Sequence, residues 1–156
     1  MTTIDFYTHV ADRLAVAARI VAKAYASHRN VRVLTPDRAS TDALDRLLWM
    51  QTALSFLPHC RMDSALAAET PIWIDERAEH NGPCAVLVNL RADPPPFFSR
   101  FERLAEIVGK DESDIAAARE RFRFYRERGY DLRTHNLEEI AAKSKPDTFE
   151  FGVTGY

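Results

Sequence analysis

His59 and Cys60 are neighbours in this 156-residue chain and bring together two side chains suited to metal binding or nucleophilic chemistry. Their adjacency works against both roles. Consecutive residues seldom coordinate one metal or form a nucleophile–base pair, and no second Cys/His cluster lies close in sequence. Free cysteine is among the most buried residue types, so a structural histidine beside a packed thiol is expected. Asp75, Glu76 and Glu79 offer three nearby carboxylates. They follow a strand-like run and read as a surface turn, so a solvated face is expected rather than an acid–base pair. Phosphate chemistry finds no support either. The five glycines stand at 82, 109, 129, 152 and 155, and neither G-x-x-x-x-G-K-[ST] nor G-x-G-x-x-G occurs. No backbone nest of the usual kind can then cradle a phosphate. No catalytic group, cofactor or metal is expected.

The stretch AARERFRFYRERG, residues 117–129, is of another kind. It carries five arginines and three aromatic rings in a chain of net charge −2. At 100° per residue, Ile115, Ala118, Phe122, Tyr125 and Gly129 share one sector, the core-facing stripe of a helix. Arg119, Arg123 and Arg126 flank it on one side, Arg121 and Arg128 on the other, with Glu120 and Glu127 outermost. Three roles fit: arginines framing a core, a grip on single-stranded nucleic acid by cations and rings, or a socket for an acidic, aromatic-ended peptide. In the last case Phe122 would floor a pocket rimmed by Arg119 and Arg123. Arginine suits that task because its planar fork binds a carboxylate at two points.

The elements that must position these residues follow from periodicity. Ile4–Tyr7 reads as a short strand. Val10, Leu14, Ala17, Val21 and Tyr25 then recur at helical spacing as far as Ser27–Asn30. Val31–Leu34 is a second strand, and Leu44, Leu47 and Leu48 mark a helix ending near Trp49 and Met50. Residues 55–60 read as a structured loop. Pro71–Ile74 and Ala85–Leu90 are strands separated by a turn-rich segment. Asp93 and Pro94–Pro96 are expected to open a helix with Phe97, Phe101, Leu104 and Val108 as its stripe, ending at Gly109. Asp111 or Ser113 can cap the next helix, which Gly129 ends. Beyond Leu132 the pattern weakens, with room for two helical turns over 136–143. This order implies a three-layer α/β domain, its mostly parallel sheet flanked by helices, nucleotide-fold-like but without a phosphate-binding loop.

Hydrophobic residues make up 46% of the chain and charged ones 28%, so one core can form without metal or disulfide support. No apolar run approaches the roughly 20 residues that span a bilayer. The N-terminal residues lack a signal pattern. A cytoplasmic protein with reduced thiols and no membrane contact is expected. The near-neutral charge argues against broad nucleic-acid binding while permitting a local basic patch.

Four motifs in order make the chain familiar: Leu44-Asp45-x-x-Leu48-Trp49; Phe56-Leu57-Pro58-His59; Pro71-Ile72 with Val86-Leu87-Val88-Asn89-Leu90; and Ala118-Arg119-Glu120-Arg121-Phe122 through Tyr125 to Gly129-Tyr130. With Phe6-Tyr7 near the start, they resemble the chi subunit of bacterial DNA polymerase III holoenzyme. The resemblance implies a non-catalytic replication subunit that links the clamp-loader assembly to single-stranded DNA-binding protein (SSB). It does so by gripping the acidic SSB tail, which ends in Pro-Phe, and it also binds the psi subunit. Nucleic acid is then contacted mainly through SSB, the alternative being direct binding of single strands. Val108, Arg119, Phe122 and Arg123 match the tail-binding positions of the family, with phenylalanine where a tyrosine is familiar and arginine where a lysine is. Trp49 and Phe56 match positions linked to psi and to a helicase partner; ordinary core packing is the alternative for both. The resemblance covers an α/β domain over residues 1–132. Residues 133–156 form a weakly structured C-terminal extension, to which it assigns no role.

Overall fold

The computed structural model describes residues 1–50 and 57–143. Among these, seven strands and four α-helices follow in the order β1 (Thr3–Val10), α1 (Arg13–Ala26), β2 (Val31–Leu34), α2 (Arg38–Met50), β3 (His59–Cys60), β4 (Ile72–Asp75), β5 (Val86–Asn89), β6 (Arg103–Gly109), α3 (Glu112–Glu127), β7 (Asp131–Asn136) and α4 (Leu137–Lys143). The strands form one parallel sheet in the order β3-β4-β2-β5-β6-β1-β7. Helices α1, α2 and α4 cover one face and α3 covers part of the other, which is the expected three-layer α/β arrangement. None of the described helices is long and apolar enough to cross a membrane.

Strands buried on both faces must be apolar at nearly every position. Hence Val31, Val33, Ile72, Ile74, Val86 and Val88 pack beneath α1 and α2, while Leu34, Leu87, Ile4, Phe6 and Leu104 point to the α3 side. Asp12 caps α1 by accepting from the Ala15 amide at 3.1 Å. Arg13, the first residue of α1, reaches across the strand ends to the Leu90 carbonyl and lies 3.6 Å from Asp114.

Three segments differ from the sequence expectation. Residues 93–109 do not make one helix: a 3₁₀ turn at Phe98–Arg100 leads into β6, which lies between β1 and β5. Phe97, Phe98 and Phe101 form an aromatic layer on the α3 side, and from Leu104 onward side chains alternate between the two faces. A set of apolar residues three and four apart fits this turn-then-strand path as well as a helix. His59 and Cys60, expected in a loop, form a two-residue edge strand against Ile72 and Trp73. Beyond Leu132 the chain continues as β7, paired with β1 from Asp131 to Asn136. β7 is a polar edge strand, so no apolar alternation announces it. The position 132 thus falls inside β7, and α4 supplies the two helical turns expected over 136–143.

Gly129 stands just past α3 with φ of 83°. That left-handed turn suits glycine and redirects the chain from the helix into β7.

Candidate peptide-binding pocket

Helix α3 owes its position to charge buried under it. Glu106 points from the middle of β6 into the α3 side with no exposed surface. Arg121 donates to it through Nε at 2.9 Å, the Tyr125 hydroxyl donates to its other oxygen, and Asn89 donates at 3.0 Å. Burial pushes the Glu106 carboxyl up, and Arg121 together with these hydrogen bonds opposes the shift. Burial and the neighbouring Glu106 push the Tyr125 phenol up as well, so it stays a donor. Arg121, read from the helical wheel as a flanking cation, is therefore 4% exposed and part of the interior.

With α3 pinned there, its stripe and the ends of β1, β6 and β7 enclose an open pocket of about 560 Å³. Phe6, Val108, Ile115, Ala118 and Phe122 give it an apolar floor and walls, while His9, Lys110 and Arg119 stand at its mouth. Phe122 is half-buried and meets Phe6 edge to face at 5.3 Å. His9 lies at a break in the β1 register and has φ of 61°, which turns the chain at the pocket edge. Lys110 is held at 3.0 Å by Glu138, in the first turn of α4. Chemically, the pocket offers an apolar seat for one aromatic or large aliphatic side chain with positive charge beside it.

Three of the four tail-binding residues expected from sequence, Val108, Arg119 and Phe122, line this pocket. Arg123 does not. It turns to Glu120 at 3.0 Å and lines a separate, smaller groove with Pro94 and Phe124. Lys110 and His9 were missed, Lys110 because the segment before it read as helix rather than strand. Arg126, given no role on the helical wheel, sits with its guanidinium 5.8 Å from the Phe122 ring centre.

Trp49, at the end of α2, is 56% exposed and rests on the His59 ring at 4.7 Å, so it is not a core residue. Phe56 lies outside the described residues. His59 itself is buried, with Nδ1 against the Leu57 carbonyl and Nε2 3.0 Å from Asp45. That is a structural setting, and the described residues contain no group of three or more side chains placed to hold a metal ion.

Of the three carboxylates expected on a solvated face, Glu79 is exposed, whereas Asp75, the last residue of β4, and Glu76 are not free surface groups. Asp75 is fully buried and accepts from the amides of Met62 and Arg77, each at 3.0 Å. Glu76 takes both terminal nitrogens of Arg61, at 2.8 and 3.0 Å, which holds its carboxyl down at about 2. The reason is the reach of Arg61 and Met62 from the far side of β4, which sequence proximity does not reveal. Both carboxylates are occupied by structural partners rather than poised as acid and base.

The family model for "DNA polymerase III chi subunit, HolC" matches residues 1–133. The chain is 35% identical over 144 residues to DNA polymerase III subunit chi of Pseudomonas aeruginosa, covering 90% of this chain and 100% of that protein. It is 28% identical to the same subunit of Haemophilus influenzae over 78% of this chain and 85% of the relative. With the Escherichia coli subunit it shares 27% identity over 85% of this chain and 89% of the relative. The ordered motifs, the parallel α/β sheet and these matches together place the chain in the DNA polymerase III chi subunit family, a replication protein whose partners lie within the polymerase III holoenzyme.

Proposed function

We propose that the pocket beneath α3 holds the acidic C-terminal tail of SSB, so that the protein tethers the clamp-loader assembly to SSB-coated single strands. One observation carries this: an apolar cavity floored by Phe122 and Val108 opens beside the cations Arg119 and Lys110. A terminal phenylalanine fits the floor, and its carboxylate and acidic neighbours suit the rim. Burying that one ring contributes roughly 2–3 kcal/mol. Rim charges are exposed and add less, and association entropy costs at least about 4 kcal/mol. A single tail is therefore expected to bind only weakly, with avidity raising the strength when several tails sit on one oligomeric SSB. Such a tether exchanges quickly and weakens with salt. The psi subunit, or a helicase in its place, is proposed at the exposed Trp49 surface, away from this pocket.

Direct binding of single-stranded nucleic acid is less well supported. Arg121 is engaged with Glu106, Arg123 with Glu120, and Arg128 covers the Phe124 face at 3.5 Å. Few cations and few open rings remain for a strand to stack upon. The test is titration of a fluorescent acidic peptide ending in Pro-Phe, with Arg119→Ala and Phe122→Ala alongside. Saturable binding lost in both variants supports the tether. Absent binding, together with oligonucleotide retardation in the absence of SSB, overturns it.

A further inference from the structure

We infer that Arg126, beside Phe122 at the edge of this pocket, is a further ligand-reading cation, and that it takes an acidic side chain about three residues before the ligand's buried aromatic end. The inference rests on the peptide-binding reading above and specifies the peptide. Arg119 and Arg126 are seven residues apart on α3, which brings them to within about 20° of each other around the axis and about 10.5 Å apart along it. Phe122 lies between them. Arg126 places its guanidinium 5.8 Å from that ring's centre, a contact that orients the charge beside the pocket without neutralising it.

Arg123 differs in both respects. It lies about 40° beyond Arg119, on the side away from the pocket. Its NH1 donates to both oxygens of Glu120, at 3.0 and 3.2 Å. An incoming carboxylate must therefore displace Glu120 to reach Arg123, whereas Arg126 has no carboxylate partner among the described residues. A ligand seated over Phe122 and Ala118 with its end at Arg119 leaves the pocket along α3 towards Arg126. An extended chain advances about 3.3 Å per residue, so three residues cover the spacing of the two arginines. The ligand class is thus an acidic peptide whose charge is read in register, one carboxylate at its end and one three positions upstream.

The experiment uses two fluorescent nonapeptides ending in Pro-Phe. One has its only acidic side chain three residues before the terminal phenylalanine, and the other has asparagine there. Wild-type protein, Arg126→Ala and Arg123→Ala are titrated with each, and thermal melts check that the exposed substitutions leave the fold intact. Arg126→Ala is expected to weaken the acidic peptide about fivefold, the size of one exposed ion pair, and the asparagine peptide by less than twofold. Arg123→Ala is expected to change both by less than twofold. If Arg126→Ala binds the acidic peptide as well as wild type does, or loses both peptides alike, the assignment of Arg126 is overturned while the pocket stands. If wild-type protein binds neither peptide, nor a fully acidic one, the pocket reading itself has failed.

Discussion

Arg121 and Glu106 meet at 2.9 Å with their side chains 4% and 0% exposed, and this ion pair joins α3 to the centre of the sheet directly behind the pocket. Removing one member leaves the other as an uncompensated buried charge. Arg121→Met is expected to destabilise the protein by about 3 kcal/mol or more, measured by urea unfolding. Adding Glu106→Gln should recover part of that loss, because no buried charge is then left without a partner. A double variant less stable than Arg121→Met would contradict this account.

Glu76 makes stability depend on pH. Its carboxyl lies at about 2 in the folded protein against 4.5 when free, chiefly because Arg61 donates to it. A lowered folded value means that the stabilisation is complete above pH 4.5 and disappears as pH falls towards 2. Melting temperatures of wild type and Glu76→Gln should differ at pH 7 and converge across that window. A constant gap would show that the charge is not responsible.

Salt should separate the two halves of the pocket. Raising salt from about 50 to about 500 mM screens exposed charges and leaves apolar burial largely intact. The loss of peptide affinity in Arg119→Ala should therefore shrink with salt, while the loss in Phe122→Ala should persist. Fluorescence anisotropy at both salt levels measures each, and equal salt sensitivity in the two variants would argue against a charged rim over an apolar floor.

Gly129→Ala should cost about 1 kcal/mol, because a φ of 83° is strained for any residue with a Cβ. The glycine has open space around it, so the cost is one of backbone conformation and not of collision. Thermal denaturation gives its size, and an unchanged melting temperature would mean that the turn relaxes freely.

The central strands were legible because burial on both faces leaves mostly apolar residues in β2, β4 and β5, with Arg32, Asp75 and Asn89 the buried exceptions. β6 was hidden by its neighbours: Phe97 and Phe101 at helical spacing, following three prolines, extended a false period into Leu104 and Val108. β7 was hidden by being polar at an edge. At the candidate pocket, Arg119 and Phe122 were suggested by the helical wheel together with the family resemblance and Val108 by the resemblance alone, and all three line the cavity. The wheel placed Arg123 and Arg126 together, because a projection gives angle and not partner. Glu120 claims one of them and the Phe122 ring the other. Lys110 could not be found until β6 was known to be a strand, since only then does the loop after it arrive at the pocket mouth.

Parallel α/β sheets commonly receive ligands in the crevice above the carboxyl ends of their strands, where a glycine turn lets a phosphate sit against a helix. Here that ground is occupied by the protein itself. Arg13 bridges from the start of α1 to the Leu90 carbonyl and Asp114, and a methyl group on Gly109 would already lie within 3.3 Å of its chain. The arginine acts as a permanent internal tenant of the crest. The open cavity lies beside it, between α3 and the ends of β1, β6 and β7, so that an occupant there would not contend with Arg13 for space.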